Sequence, residues 1–140
     1  LRLVGSEMCI RDRATALCIF LARDGKSKED IKNTVEAKFD YDLNFTCDGI
    51  RDTYQWDATC QGTVPQAIRA FLDGTDFEDC IRTAISLGGD SDTLACITGS
   101  IAEAFYGIPP ALHAQAMHYL PTHFQQIVAE FEEKYGPKIH

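Results

Sequence analysis

Several features are scarce or missing in this sequence, and each shortage removes a class of function. No apolar run approaches the roughly 20 residues of a membrane-spanning helix, so no membrane partner is expected. Basic residues are in deficit, with 13 Lys and Arg against 21 Asp and Glu and a formal charge of −8. Nucleic-acid binders neutralise phosphates with clustered Lys and Arg, so no nucleic-acid partner is expected either. The six cysteines stand at 9, 18, 47, 60, 80 and 96, with no CxxC pair and no regular framework. They read as reduced, mostly buried thiols of a cytoplasmic protein rather than a disulfide scaffold. Internal repeats and strand-rich stretches are absent, and a hydrophobic fraction of 45% is too high for wholesale disorder. What remains is 140 residues, enough for one globular domain with a core.

Residues Leu1 to Arg13 (LRLVGSEMCIRDR) do not fit with the rest. They have no clear helical or strand period and lack the apolar region and cleavage site of a signal peptide. The run resembles translated adapter sequence, so it is expected to be non-native and is set aside from fold reasoning. The natural chain would then continue upstream of Ala14.

From Ala14 onward the pattern is helical. An apolar stretch, Ala14 to Arg23, closes at Asp24-Gly25. Ser27 is a good N-cap for a helix to about Lys38, with Ile31, Val35 and Phe39 on one face. Phe39 to Val64 has no sustained period and holds five Asp against a single Arg between 39 and 57. It reads as a long loop pinned by aromatics or lining a cleft, with strand an open alternative at Ile50 to Trp56; Trp56 and its aromatic neighbours are assigned no role. Pro65 suits the first turn of the next helix, which Gly74 ends. Thr75-x-x-Glu78 predicts a capping box, followed by a helix burying Phe77, Cys80, Ile81, Ala84 and Ile85 and stopped by Gly88. A helix from Asp90–Asp92 to Gly107 carries Leu94, Ile97, Ile101 and Phe105 on one stripe, with small residues at Ala95, Gly99, Ala102 and Ala104. Two more helices are predicted, from Pro109-Pro110 and from Pro121 or Thr122, ending at Gly136. The predicted fold class is all-α.

The chemistry concentrates in Gly88-Gly89-Asp90-Ser91-Asp92-Thr93. Two carboxylates and two hydroxyls fall within four residues at the entry to a helix. The acids crowd each other unless helix N–H groups or a divalent cation compensate. Their oxygens are hard ligands, suited to Mg²⁺ or Mn²⁺ rather than Zn²⁺. A plain alternative is that Asp90 or Ser91 simply caps the helix.

The stretch Gly62 to Pro109 closely resembles the ADP-ribosylglycohydrolase family, whose hallmark is GGDSDT followed by a small-residue helix ending in Tyr-Gly, here Tyr106-Gly107. Weaker similarity runs from about Ala14 to the C-terminus. The resemblance implies an all-α domain with a cleft for two divalent metal ions, cleaving the glycosidic bond between ADP-ribose and a protein side chain or small conjugate. It implies Asp90, Asp92 and Thr93 as metal ligands, and Gly88, Gly89 and Ser91 on the substrate side. The family's other ligands come from a Thr-Asp-Asp motif in its N-terminal half, as does its proton-handling carboxylate. This sequence contains no Thr-Asp-Asp, so it reads as roughly the C-terminal half of the domain, expected to be inactive alone, with the catalytic acid–base not assigned.

Three rivals fit less well. A haloacid-dehalogenase phosphatase needs an apolar strand before its first Asp, where Leu87-Gly88-Gly89 stands here. A zinc site at His113, His118 and His123 fails because steps of five do not share a helix face. A docking function for the acidic face has solvation as its simpler reading. A non-enzymatic, crystallin-like member of the same fold, acting as a binding or structural protein, is the main alternative to a hydrolase.

Overall fold

The computed structural model describes residues 5–55 and 59–136, and its side chains from Asp12 onward except residue 60. Eight helices occur among them: α1 (Gly5–Arg23), α2 (Lys28–Phe39), α3 (Cys47–Ile50), α4 (Cys60–Asp73), α5 (Phe77–Ser86), α6 (Ser91–Tyr106), α7 (Pro110–Tyr119) and α8 (Thr122–Tyr135). No described residue is in a strand, so the strand alternative fails for residues 50–55; Trp56 lies outside the described residues. None of these helices is long and apolar enough to cross a membrane.

Local signals set most boundaries. Ser27 caps α2 by accepting the Asp30 N–H at 3.1 Å, and the Asp30 carboxylate reaches back to the cap. Gly25, Gly88 and Gly107 all take left-handed φ near +74° where helices stop. Other boundaries moved. The fourth helix begins at Cys60, capped by Thr59, and holds Pro65 inside it. Pro65 lies far enough into the helix to leave one backbone bond unmade, a cost that its buried position offsets. The unpatterned 39–64 stretch therefore contains α3 and the first turn of α4. The capping box expected from Thr75 and Glu78 does not form. Asp76 is the N-cap and accepts the Asp79 N–H at 2.9 Å, while Thr75 donates to Asp79 and Glu78 pairs with Arg82. A carboxylate at a helix N-terminus adds charge–dipole attraction that a Thr hydroxyl lacks. At the N-terminus, α1 starts at Gly5, nine residues before the apolar pattern does.

The chain divides into two compact units, residues 1–107 and 108–140. In the first, α6 packs on α1, α4 and α5. Ala14, Cys18, Ile31, Val35, Ile68, Phe71, Cys80 and Ile101 form one core. Cys47, Ala67, Ala70, Ala84, Leu87 and Leu94 form a smaller cluster beneath the α5–α6 turn. The Thr98 hydroxyl, fully buried, donates to the Ala67 carbonyl at 2.8 Å and pins α6 to α4. The ends of α4 and α6 meet over Lys28, whose ammonium donates to the Leu72 and Gly74 carbonyls and sits 5.0 Å from the Phe71 ring and 5.3 Å from the Tyr106 ring. The second unit holds α7 and α8, joined by His113 Nε2 and Glu132 Oε1 at 2.9 Å and by Gln125, which donates to the Met117 and Leu120 carbonyls.

Burial differs from expectation at three points. Ile85 is 52% exposed, and Phe77 and Ile81 are half-buried, so α5 buries Cys80 and Ala84 as its inner edge. Cys96 is exposed, whereas Cys18, Cys47 and Cys80 are buried free thiols. The α8 residues Phe124, Ile127, Phe131 and Tyr135 recur at helical spacing yet remain exposed. Periodicity identifies residues that share a face; it does not supply the neighbour that would cover it.

Candidate metal centre at the α5–α6 turn

The site is built on a turn with little freedom. Leu87 is 3% exposed and anchors the chain in the smaller core cluster. Gly88 donates to the Ile85 carbonyl at 3.1 Å, and Gly88 and Gly89 follow with φ of +74° and +62°. Side chains rarely adopt two successive left-handed conformations, so the glycine pair is what permits this reversal. The chain then enters α6 with Asp90 at the N-cap position and Ser91 as the first helical residue.

Asp90 occupies a capping position without capping. The N-cap side chains of α2, α3, α4 and α5 each accept a backbone N–H from the first turn. The Asp90 carboxylate accepts none, although its own carbonyl takes the Leu94 N–H at 3.0 Å. The simple capping reading of Asp90 therefore does not hold, and its oxygens stay free of the helix backbone.

Asp92 is exposed, one helical position beyond Ser91. Its carboxyl is held below the usual carboxylate range, first by a hydrogen bond shared with the Asp90 side chain, then by the backbone N–H groups of Thr93 and of Asp92 itself. The two acids are thus brought together, as the sequence pattern anticipated. Thr93 is half-buried and lines a groove of about 420 Å³ between α1 and α6, with Asp12, Thr15, Ala16, Ile19, Cys96, Ile97 and Ser100. Gly88 and Ser91 are half-buried beside the acids, and Gly89 is exposed.

The donor set is two carboxylates and a hydroxyl, all hard oxygen ligands at the positive end of a helix. That donor chemistry suits Mg²⁺ or Mn²⁺, and Asp90, Asp92 and Thr93 are the residues that would hold such an ion. Among the described residues no group of three or more His, Cys, Asp or Glu side chains is arranged to hold a metal ion. The sequence reading did not foresee that the 46–54 segment flanks this turn. Cys47 donates its N–H to Asp73, Ile50 and Tyr54 pack in the cluster with Leu87, and Arg51 donates from Nε to Ser86 Oγ at 3.1 Å. The lone Arg amid five Asp was the available signal.

Comparison with known proteins gives three findings. The ADP-ribosylglycohydrolase family matches over residues 8–138. A mouse (Mus musculus) protein, ADP-ribosylhydrolase ARH3, is 38% identical over 82 residues, covering 51% of this chain and 20% of the mouse protein. The chain thus spans about a fifth of the length of that curated relative. No solved structure matches.

Proposed function

The chain belongs to the ADP-ribosylglycohydrolase family, and on that premise we propose that the protein is a metal-dependent hydrolase removing ADP-ribose from a modified protein side chain or a small ADP-ribose conjugate. The observation that carries the reading is the Asp90 carboxylate, which makes no cap hydrogen bond to α6 and instead shares one with Asp92. A capping acid would have spent its oxygens on the helix; this one has not.

In the proposed reaction water adds to the anomeric carbon of the ribose, the glycosidic bond breaks, and the leaving group takes a proton. Bound Mg²⁺ or Mn²⁺ would supply Lewis-acid stabilisation of charge and orientation of water and ribose hydroxyls. Asp90, Asp92 and Thr93 would hold the ion, on a turn anchored at each end by the buried side chains of Leu87 and Leu94. Gly88 and Gly89 keep the approach to the ribose clear of side chains, and Ser91 offers a hydroxyl at the same edge. The remaining ligands and the acid–base carboxylate are assigned, by family likeness, to a Thr-Asp-Asp motif and a carboxylate that these 140 residues do not contain. The 140 residues alone are proposed to be inactive.

The test uses the full-length protein with arginine-linked, serine-linked and small-molecule ADP-ribose conjugates. Release of ADP-ribose that a chelator abolishes, that Mg²⁺ or Mn²⁺ restores, and that Asp90→Asn reduces by at least 100-fold supports the reading. A full-length protein with no release from any of them, at any metal concentration, overturns it.

A further inference from the structure

Arg51 is the only basic residue between positions 39 and 68, and the fold brings it to the α5–α6 turn. Its position is firmly set. Thr46 caps the short helix before it, Asp73 holds the Cys47 N–H at 2.8 Å, and the Tyr54 hydroxyl donates to the Gly62 carbonyl at 2.9 Å. The guanidinium itself is fixed on one edge. Its Nε donates to Ser86 Oγ at 3.1 Å, and its Nη1 donates to Asp48 Oδ1 at 2.5 Å. The Ser86 hydroxyl passes the chain on, donating to the Thr83 carbonyl at 2.8 Å. Nη2 makes no hydrogen bond among the described residues, and the side chain is 38% exposed.

Ser86 lies four residues before Asp90, a span of at most about 14 Å even for extended backbone, and the turn between them folds back. An ADP-ribosyl group whose ribose met Asp90 and Asp92 would carry its diphosphate away from two carboxylates that repel it. A planar, partly exposed guanidinium with Nε and Nη1 engaged and Nη2 making no hydrogen bond among the described residues is well matched to a diphosphate.

We propose that Arg51 binds the diphosphate of the ADP-ribosyl group, with Ser86 orienting its guanidinium. This inference rests on the hydrolase reading above. Asp48, 86% exposed at its side chain, competes with the ligand for the same guanidinium. That competition gives the proposal a signature that a purely structural ion pair would not have.

The experiment measures hydrolysis and ADP binding with the full-length protein and its Arg51→Gln, Arg51→Lys and Asp48→Asn variants. Arg51→Gln is expected to raise KM and weaken ADP binding about tenfold or more, the worth of a charge-assisted hydrogen bond, with kcat nearly unchanged. Arg51→Lys is expected to recover part of the affinity. Asp48→Asn is expected to tighten ADP binding, because it frees the guanidinium. If Arg51 only clamps the segment, Asp48→Asn and Arg51→Gln break the same ion pair, lower stability alike and leave ADP affinity unchanged; that result overturns the proposal. Wild-type protein that binds ADP through Arg51 but releases no ADP-ribose refutes the hydrolase reading while supporting the subsite. Wild-type protein that does not bind ADP refutes the subsite.

Discussion

Replacing Gly74 by alanine tests how the site's scaffold is assembled. Gly74 joins α4 to α5 with φ −67° and ψ 150°, a conformation open to any residue, so no backbone strain opposes the change. The obstacle is space. A Cβ at this position would lie 2.5 Å from Cys80 Sγ, 2.8 Å from Cys80 Cα and 2.8 Å from Cys80 N. Two of those atoms are backbone, so α5 itself must shift by several tenths of an ångström. The Gly74 carbonyl also accepts from Lys28 and from the Tyr106 hydroxyl at 3.2 Å, so the shift disturbs α2 and α6 as well. Overpacking of this kind costs about 1–3 kcal/mol, and the entropy gained in the unfolded chain returns about 0.4–1 kcal/mol. The net expectation is a loss of about 1–2 kcal/mol, or roughly 4–8 °C in Tm. Urea and thermal unfolding followed by circular dichroism would measure it. Gly88→Ala is the comparison, because its Cβ meets nothing within 4 Å while its φ of +74° imposes strain alone; its cost should be near 1 kcal/mol. Adding Cys80→Ala to Gly74→Ala removes only the sulfur contact, so rescue should be partial. Full rescue, or a Gly74→Ala protein as stable as wild type, would refute the backbone-clash reasoning.

Other expectations follow from the same contacts. Phe71→Ala, at a fully buried ring in edge contact with Phe105, should cost about 3–5 kcal/mol, measured by urea unfolding. A thiol reagent should modify Cys96 quickly in the folded protein and spare Cys18, Cys47 and Cys80, which a mass-spectrometric time course would resolve. Burial pushes the Cys18 and Cys47 thiols up to about 12 and the Cys80 thiol up to about 11, from 9.0 in an open chain. The neutral thiol is therefore favoured in the fold, and stability that is complete below pH 9 should decline as pH rises toward 12; cysteine-to-alanine variants should flatten that alkaline decline. Asp90→Asn with Asp92→Asn in the full-length protein should abolish Mn²⁺ binding by calorimetry, while retained stoichiometric binding would place the metal elsewhere.

The acid side of the stability profile rests partly on Asp73. Burial works to raise its carboxyl, but hydrogen bonds from Arg69 and from the Cys47 N–H outweigh it and hold the group below the usual range. Its contribution is present above the ordinary carboxylate pKa and is lost as pH falls through the lowered one. Because Asp73 ties the 46–54 segment to α4, acid should loosen the segment that carries Arg51 before it melts the core.

The sequence by itself determined the local events. Ser27 starts α2, Gly88 and Gly107 stop helices, and Gly-Gly-Asp-Ser-Asp-Thr sets two acids and two hydroxyls at a helix entry, because caps and left-handed glycines act within a few residues. It also placed Leu94, Ile97, Ile101 and Phe105 on one face of α6. Tertiary structure decided the rest, for reasons that no local pattern contains. Asp76 rather than Thr75 caps α5, since neighbouring acceptors compete and the carboxylate wins. Asp90 was a cap by position, and only the three-dimensional turn shows its carboxylate turned to Asp92 instead of to the helix. Ile85 and Cys96 looked buried by period but lie on faces that the surrounding helices leave open. Arg51 stood alone in an unpatterned stretch, and the fold alone brought it to Ser86, 35 residues along the chain at the end of α5.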